Sequence, residues 1–188
     1  MTPAAASDLP QPADVVGFWR DAGQKRWFAK DDAFDADFRR RFLAAHEAAA
    51  AGALGGWETT PDGALALLIL LDQFPRNAFR GSARMFATDA QALAIAGRSV
   101  DAGFDAAAEP ALRPFFYMPF MHSEALADQD RCVELSARLT AGGDTLRYAE
   151  LHRDIIVRFG RFPHRNPVLG RETTPAEQRF LDDGGFAG

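Results

Sequence analysis

The chain has 188 residues, the scale of one domain, which buries about 70% of the unfolded chain's surface and needs no disulfide or structural metal to fold. Hydrophobic residues make up 47% and charged residues 25%, which excludes wholesale disorder. The formal net charge of −5 argues against nucleic acid or an anionic membrane as partner, and the single cysteine, Cys132, excludes an internal disulfide and a cysteine-based zinc site.

The opening MTPAAASDLPQPAD has no basic start and no apolar core, so no secretory signal is read there. Residues 1–12 read as a flexible tail and 13–188 as a single all-helical domain. A helix from Ala13 to Ala22 turns Val15, Val16, Phe18 and Trp19 inward, with Trp27 and Phe28 in the connection that follows. Phe34, Phe38 and Phe42 recur every fourth residue and predict a second helix from Asp31 to about Ala51, ended by Gly52, Gly55 and Gly56. Thr60-Pro61 then supplies a cap and a first-turn proline. The helix it opens, ALALLILLDQ, is apolar on every side and reads as the buried centre, with Pro75 expected to stop it. Its apolar run from Ala64 to Leu71 is far too short to cross a bilayer, so the expected location is the cytoplasm.

A further helix is predicted from Thr88 to Ala102, with Asp89 in its first turn. In PALRPFFYMPFMHSE, Pro110, Pro114 and Pro119 punctuate short helical pieces, and the block from Phe115 to Met121 reads as core. Two more helices follow, about Ser123 to Leu139 and Thr145 to Phe159. Thr174-Pro175-Ala176-Glu177 has the form of a capping box. No segment alternates with period two, so the fold class is all-α, with seven to nine helices.

One internal echo stands out. Leu71-Asp72-Gln73-Phe74-Pro75-Arg76-Asn77 resembles Gly160-Arg161-Phe162-Pro163-His164-Arg165-Asn166, each after an apolar helix. The offset matches no standard repeat, and both chance and equivalent roles stay open.

Asp72 is the most informative residue. It follows Leu65, Leu68 and Ile69 at helical spacing, so it lies on the inward face, near a C-terminal end where the helix dipole disfavours a negative charge. A cation is needed, and Arg76 and Arg80 are local candidates while Arg161 and Arg165 are distant ones. The pairing is either a structural ion pair or an acid held in a pocket. Arginines also cluster in residues 72–84 and 160–171. They either cap helix ends or, if the two loops meet, form a site for carboxylate or phosphate.

His152 shares a face with Ile155, Ile156 and Phe159 and reads as a hydrogen-bonded core residue. His164 lies in the Phe-Pro-His-Arg-Asn turn and is expected to be the most accessible histidine. Asp72, His122, Glu124 and His152 have no metal-binding spacing, and neither a GxSxG elbow nor a phosphate loop is present. No metal and no cofactor are therefore expected. Cys132 reads as inert.

The strings LLDQFPRNAFRG, FFYMPFMHSE, HRDIIVRFGRFPHRN and LGRETTPAEQRFL, with DVVGFW, RWF and FD before them, resemble the signature blocks of a widespread bacterial family of unknown function placed among tetratricopeptide-like helical proteins. The resemblance covers about Ala13 to Leu181. It implies a tetratricopeptide-like stack of antiparallel helix pairs with an open concave face, although the 34-residue consensus itself is not visible. The family's polar blocks fall on Asp72, Gln73, Arg76, Asn77, Arg80, His122, Glu124, Gln129, His152, Arg161, His164, Arg165, Asn166 and Arg171.

These readings converge on a binding protein. The expected pocket is lined by Asp72, Gln73, Arg76, Asn77, Arg80, His122, Glu124, His152, Arg161, His164, Arg165 and Asn166. It would take a small anionic metabolite or a peptide carboxylate. One alternative is a metal-independent acid–base enzyme acting on a small anionic substrate; the other is a protein–protein scaffold. Nucleic acid and membrane are not expected as partners.

Overall fold

A computed structural model describes residues 9–139 and 144–186. Most of the expected tail, residues 1–8, lies outside the described residues. The all-α expectation holds: among the described residues there is no strand, and seven helices of eight or more residues carry the fold.

Helix α1, Pro12–Ala22, starts one residue earlier than expected because Pro12 itself takes the first turn, behind a Gln11–Asp14 capping box. Helix α2, Asp32–Ala50, is capped by the Asp31 carboxylate, which accepts from the Ala33 and Phe34 N–H groups. The Phe34, Phe38 and Phe42 stripe is buried. All three rings lie 5.2–5.3 Å from Phe18 of α1, which locks the two helices together.

Helix α3 begins at Pro61 under a Thr60 cap. Gly63 is required there, because a Cβ would sit 2.1 Å from the Trp57 carbonyl oxygen. Every residue from Gly63 to Gln73 is buried, as the all-round apolar sequence predicted, and α1, α2 and α4 (Asp89–Asp101) pack around it. The proline-rich stretch forms single turns at Arg113–Phe116 and Met118–Met121, and its aromatic block is core. Helices α5 (Leu126–Ser136) and α6 (Thr145–Phe159) pack on each other. The last, α7 (Pro175–Asp182), has the Thr174–Glu177 capping box in full. A second small apolar cluster, Ile155, Ile156 and Phe162, gathers Phe159, Phe180 and Phe186 between α6 and α7.

Pro75 does not stop α3. The rod runs from Pro61–Leu68 through a π-helical segment, Ile69–Gln73, into Phe74–Ala78. An α-helix would drive the proline ring into the Leu71 carbonyl and leave that carbonyl without its N–H. The wider turn relieves both problems: the Phe74 N–H reaches back five residues to Ile69, and side chains take over the freed carbonyls. His46 Nδ1 donates to Leu70 O at 2.9 Å, Thr88 Oγ1 to Leu71 O at 2.5 Å and an Arg76 nitrogen to Asp72 O at 2.7 Å. Asp72 therefore sits inside the rod, not at its C-terminal end.

Thr88→Val keeps the side-chain shape and strands the Leu71 carbonyl, so it should cost about 1–3 kcal/mol. A melt should fall by roughly 2–4 °C for each kcal/mol lost. Adding Pro75→Ala returns an N–H four residues after Leu71 and should recover part of the loss. An unchanged melt for Thr88→Val would contradict this account of the turn.

Candidate functional site

The π turn places Asp72, 1% exposed, where three chain segments meet. Both carboxylate oxygens are bonded. Oδ1 accepts from His122 Nδ1 at 2.7 Å and lies 3.2 Å from Arg76, while Oδ2 accepts from the Gln73 amide at 2.6 Å. Arg76 also grips Asp89, in the first turn of α4, with a two-bond fork of 2.8 and 2.9 Å. A carboxylate in a first turn is favoured by the helix dipole, so Asp89 is held from both sides.

The second Phe-Pro turn arrives against this cluster. Arg165, 6% exposed, lies 4.6 Å from the Phe86 ring and 4.4 Å from the Phe162 ring. One guanidinium nitrogen donates to the His122 carbonyl at 3.0 Å, and another is 3.6 Å from the Asp89 oxygen that Arg76 already holds. The Arg165 Nε is buried without a partner among the described residues, and so is Nδ1 of the neighbouring His164. His152 donates from Nδ1 to Tyr148 O at 2.7 Å, and its ring centre is 6.5 Å from that of His122. Because oxygen acceptors fix the proton on Nδ1 in both His122 and His152, each neutral ring presents a bare Nε2. Glu124 braces the turn: it forks onto Arg171 at 2.7 and 3.0 Å and accepts the Phe162 N–H at 2.8 Å.

Protonation states follow from these contacts. Burial pushes the Asp72 carboxyl up, but Arg76 and His122 outweigh it and hold it down at about 2. Burial, with the Arg76 charge beside it, lowers His122 below the ordinary histidine range despite Asp72. Burial and His122 take His152 down to about 4; burial and Arg165 take His164 down to about 3. Arg165 itself is lowered to about 10 by burial and by Arg76, whereas Asp72 and Asp89 raise Arg76. At neutral pH the histidines are uncharged and both arginines are cations.

The structure brings Asp72, Gln73, Arg76, His122, Glu124, His152, His164 and Arg165 together, and takes the other expected residues elsewhere. Asn77 and Arg80 turn to Asp35 of α2, at 2.7 and 2.6 Å, so Arg80 is not the partner of Asp72. Arg161 forks onto Glu177 at 2.5 and 2.8 Å and, with Asn166 3.4 Å from the same carboxylate, ties the turn to the α7 cap. His164 is half-buried, more open than His46 and His152, with its Nδ1 turned inside. Asp89, Phe86 and Phe186 belong to the cluster and were absent from the expected lining. Cys132 is fully buried, with its thiol pushed up to about 12. No group of three His, Cys, Asp or Glu side chains among the described residues is placed to hold a metal ion, and no helix among them is long and apolar enough to cross a membrane.

A family described as bacterial protein of unknown function, DUF924, matches residues 15–185. The chain belongs to this family. It is also similar to a solved structure of a protein of unknown function from Agrobacterium tumefaciens, with 52% sequence identity over 92% of this chain and 97% of that one and a TM-score of 0.89. No protein with a curated description matches. Within this DUF924 chain, the blocks around the two Phe-Pro turns and the His-Ser-Glu segment are the ones that converge in space.

Burial of His152 and His164 makes stability depend on pH. Each protonates near pH 6.5 when unfolded but near 4 or 3 when folded, so their contribution is full above pH 6.5 and is lost as pH falls toward 4. Denaturant unfolding at pH 7.5, 6.0 and 4.5 should show falling stability, by up to about 1.4 kcal/mol per pH unit per histidine. His164→Gln should flatten the slope. Stability level across that range would contradict the burial of these rings.

Proposed function

We propose that this DUF924 protein binds a small anion-bearing molecule, a carboxylate or phosphate, with Arg165 as the receiving cation. The observation that carries this reading is the contrast between two buried arginines. Arg76 has two carboxylates within bonding distance. Arg165 is as deeply placed, yet among the described residues its one acid contact is a long approach to an oxygen already bonded to Arg76, and its Nε has no partner. A buried charge left that way is costly unless something pairs with it, and a guanidinium fork is suited to a carboxylate or phosphate. The neutral His152 and His164 rings add hydrogen-bonding nitrogens with no competing charge.

A second reading, acid–base chemistry, is favoured by one feature. Asp72, ionised and buried, orients the His122 ring and leaves Nε2 as a lone pair without a partner among the described residues, the arrangement of a positioned general base.

Binding is tested with inorganic phosphate and acetate, neither of which offers a bond for this site to break. Calorimetry and histidine NMR signals of the full chain should show saturable binding, weakened about tenfold or more in Arg165→Met. Absence of saturation in the wild type, or equal affinity in Arg165→Met, would overturn the proposal.

A further inference from the structure

The segment after α7 bends back over the histidines. Gly184 takes a left-handed φ of 79°, and Gly185 lies so close to Phe180 that a Cβ would meet its carbonyl oxygen at 2.4 Å and its ring at 2.6 Å. Only glycines allow this tight reversal. It delivers Phe186 to a slot where its ring centre is 4.5 Å from that of His152 and 5.4 Å from that of His164. Phe162 closes the slot, 5.5 Å from His152 and 5.7 Å from His164. Phe162 also carries the Arg165 guanidinium, at 4.4 Å. One ring thus borders both the aromatic slot and the Arg165 cation.

We infer that the slot filled by Phe186 is the aromatic half of the anion site, and that the ligand is an aryl-bearing small acid, an aromatic carboxylate or aryl phosphate. Its ring takes the place of Phe186 against His152, His164 and Phe162 while its acid group pairs with Arg165. This inference rests on the anion-binding reading above and adds the ligand's class to it. Three features support the exchange. Phe186 is partly exposed and makes no hydrogen bond among the described residues. The two histidines are neutral, so they offer flat ring faces to an uncharged aryl group, a contact that aromatic pairs favour at these separations. The Arg165 guanidinium, whose Nε has no partner among the described residues, stacks on Phe162, the ring that closes the slot. In this arrangement Phe186 is an internal competitor of the ligand.

The experiment compares phenyl phosphate with inorganic phosphate, and benzoate with acetate, on the wild-type chain, Phe186→Ala and Gly185→Ala. Gly185→Ala displaces the strap while keeping the phenylalanine, so the two variants disturb the slot by different routes; circular dichroism reports their folding. The aryl probe should bind the wild type more tightly than its non-aryl counterpart, by about tenfold. Each variant should strengthen aryl binding several-fold and leave phosphate and acetate unchanged. Aryl probes that bind no better than phosphate or acetate in all three proteins overturn the aromatic subsite and leave the anion site standing. Aryl affinity that is unchanged or weaker in both variants overturns the exchange of rings. No binding of any of the four probes overturns both this inference and the anion-binding reading.

Discussion

Pro75 has no N–H for the Leu71 carbonyl, and its ring cannot share space with that carbonyl in an α-helix. The central rod absorbs this constraint by widening at Ile69–Gln73. Widening has two effects on the fold. It opens three successive carbonyls, which recruit His46 from α2, Thr88 from the start of α4 and Arg76 from the rod itself. It also sets Asp72 among its partners within the buried rod, where both of its oxygens are bonded. The same few residues that repair the backbone therefore bring α2, α4 and the His122 segment onto the rod, and the polar cluster is a by-product of that repair.

Within the cluster the arginines divide the work. Arg76 answers Asp72 and Asp89 and is raised by both; Arg171 and Arg161 fork onto Glu124 and Glu177 and fasten the second Phe-Pro turn to its surroundings. These pairs match charge with charge at part-buried positions and hold the geometry of the turn. Arg165 is different. It is fastened mainly by two aromatic faces and one carbonyl, and burial beside Arg76 lowers it to about 10. The architecture positions this cation more carefully than it pairs it, which supports a binding role over a purely structural one.

Much of the fold was legible because its signals are local. The Phe34, Phe38 and Phe42 period, the Thr60-Pro61 start and the Thr174–Glu177 box each describe a few adjacent residues, and the structure has all three. Asp72 was legible as an inward acid, and Arg76 as a partner, because they are one helical turn apart. Arg80 misled because sequence distance says nothing of direction: beyond the π turn the rod presents Asn77 and Arg80 to α2. Asp89 was read as an ordinary first-turn acid. Its second role depends on two arginines, 13 residues before it and far along the chain, converging on one carboxylate. Phe186 carried no signal at all, since a phenylalanine after two glycines has neither period nor motif; its place is set by the close approach of Gly185 to Phe180.

The central claim is that Arg76 belongs to the fold and Arg165 to a site. Thermal melts of Arg76→Met and Arg165→Met beside the wild type, with no ligand added, test it most directly. Arg76→Met leaves Asp72 and Asp89 short of their cation and should lose about 3–5 kcal/mol, at roughly 2–4 °C per kcal/mol. Arg165→Met keeps the bulk between Phe86 and Phe162, leaves Asp89 with Arg76, and should melt within a few degrees of the wild type or above it. A loss in Arg165→Met as large as that in Arg76→Met would contradict the account and make both arginines structural.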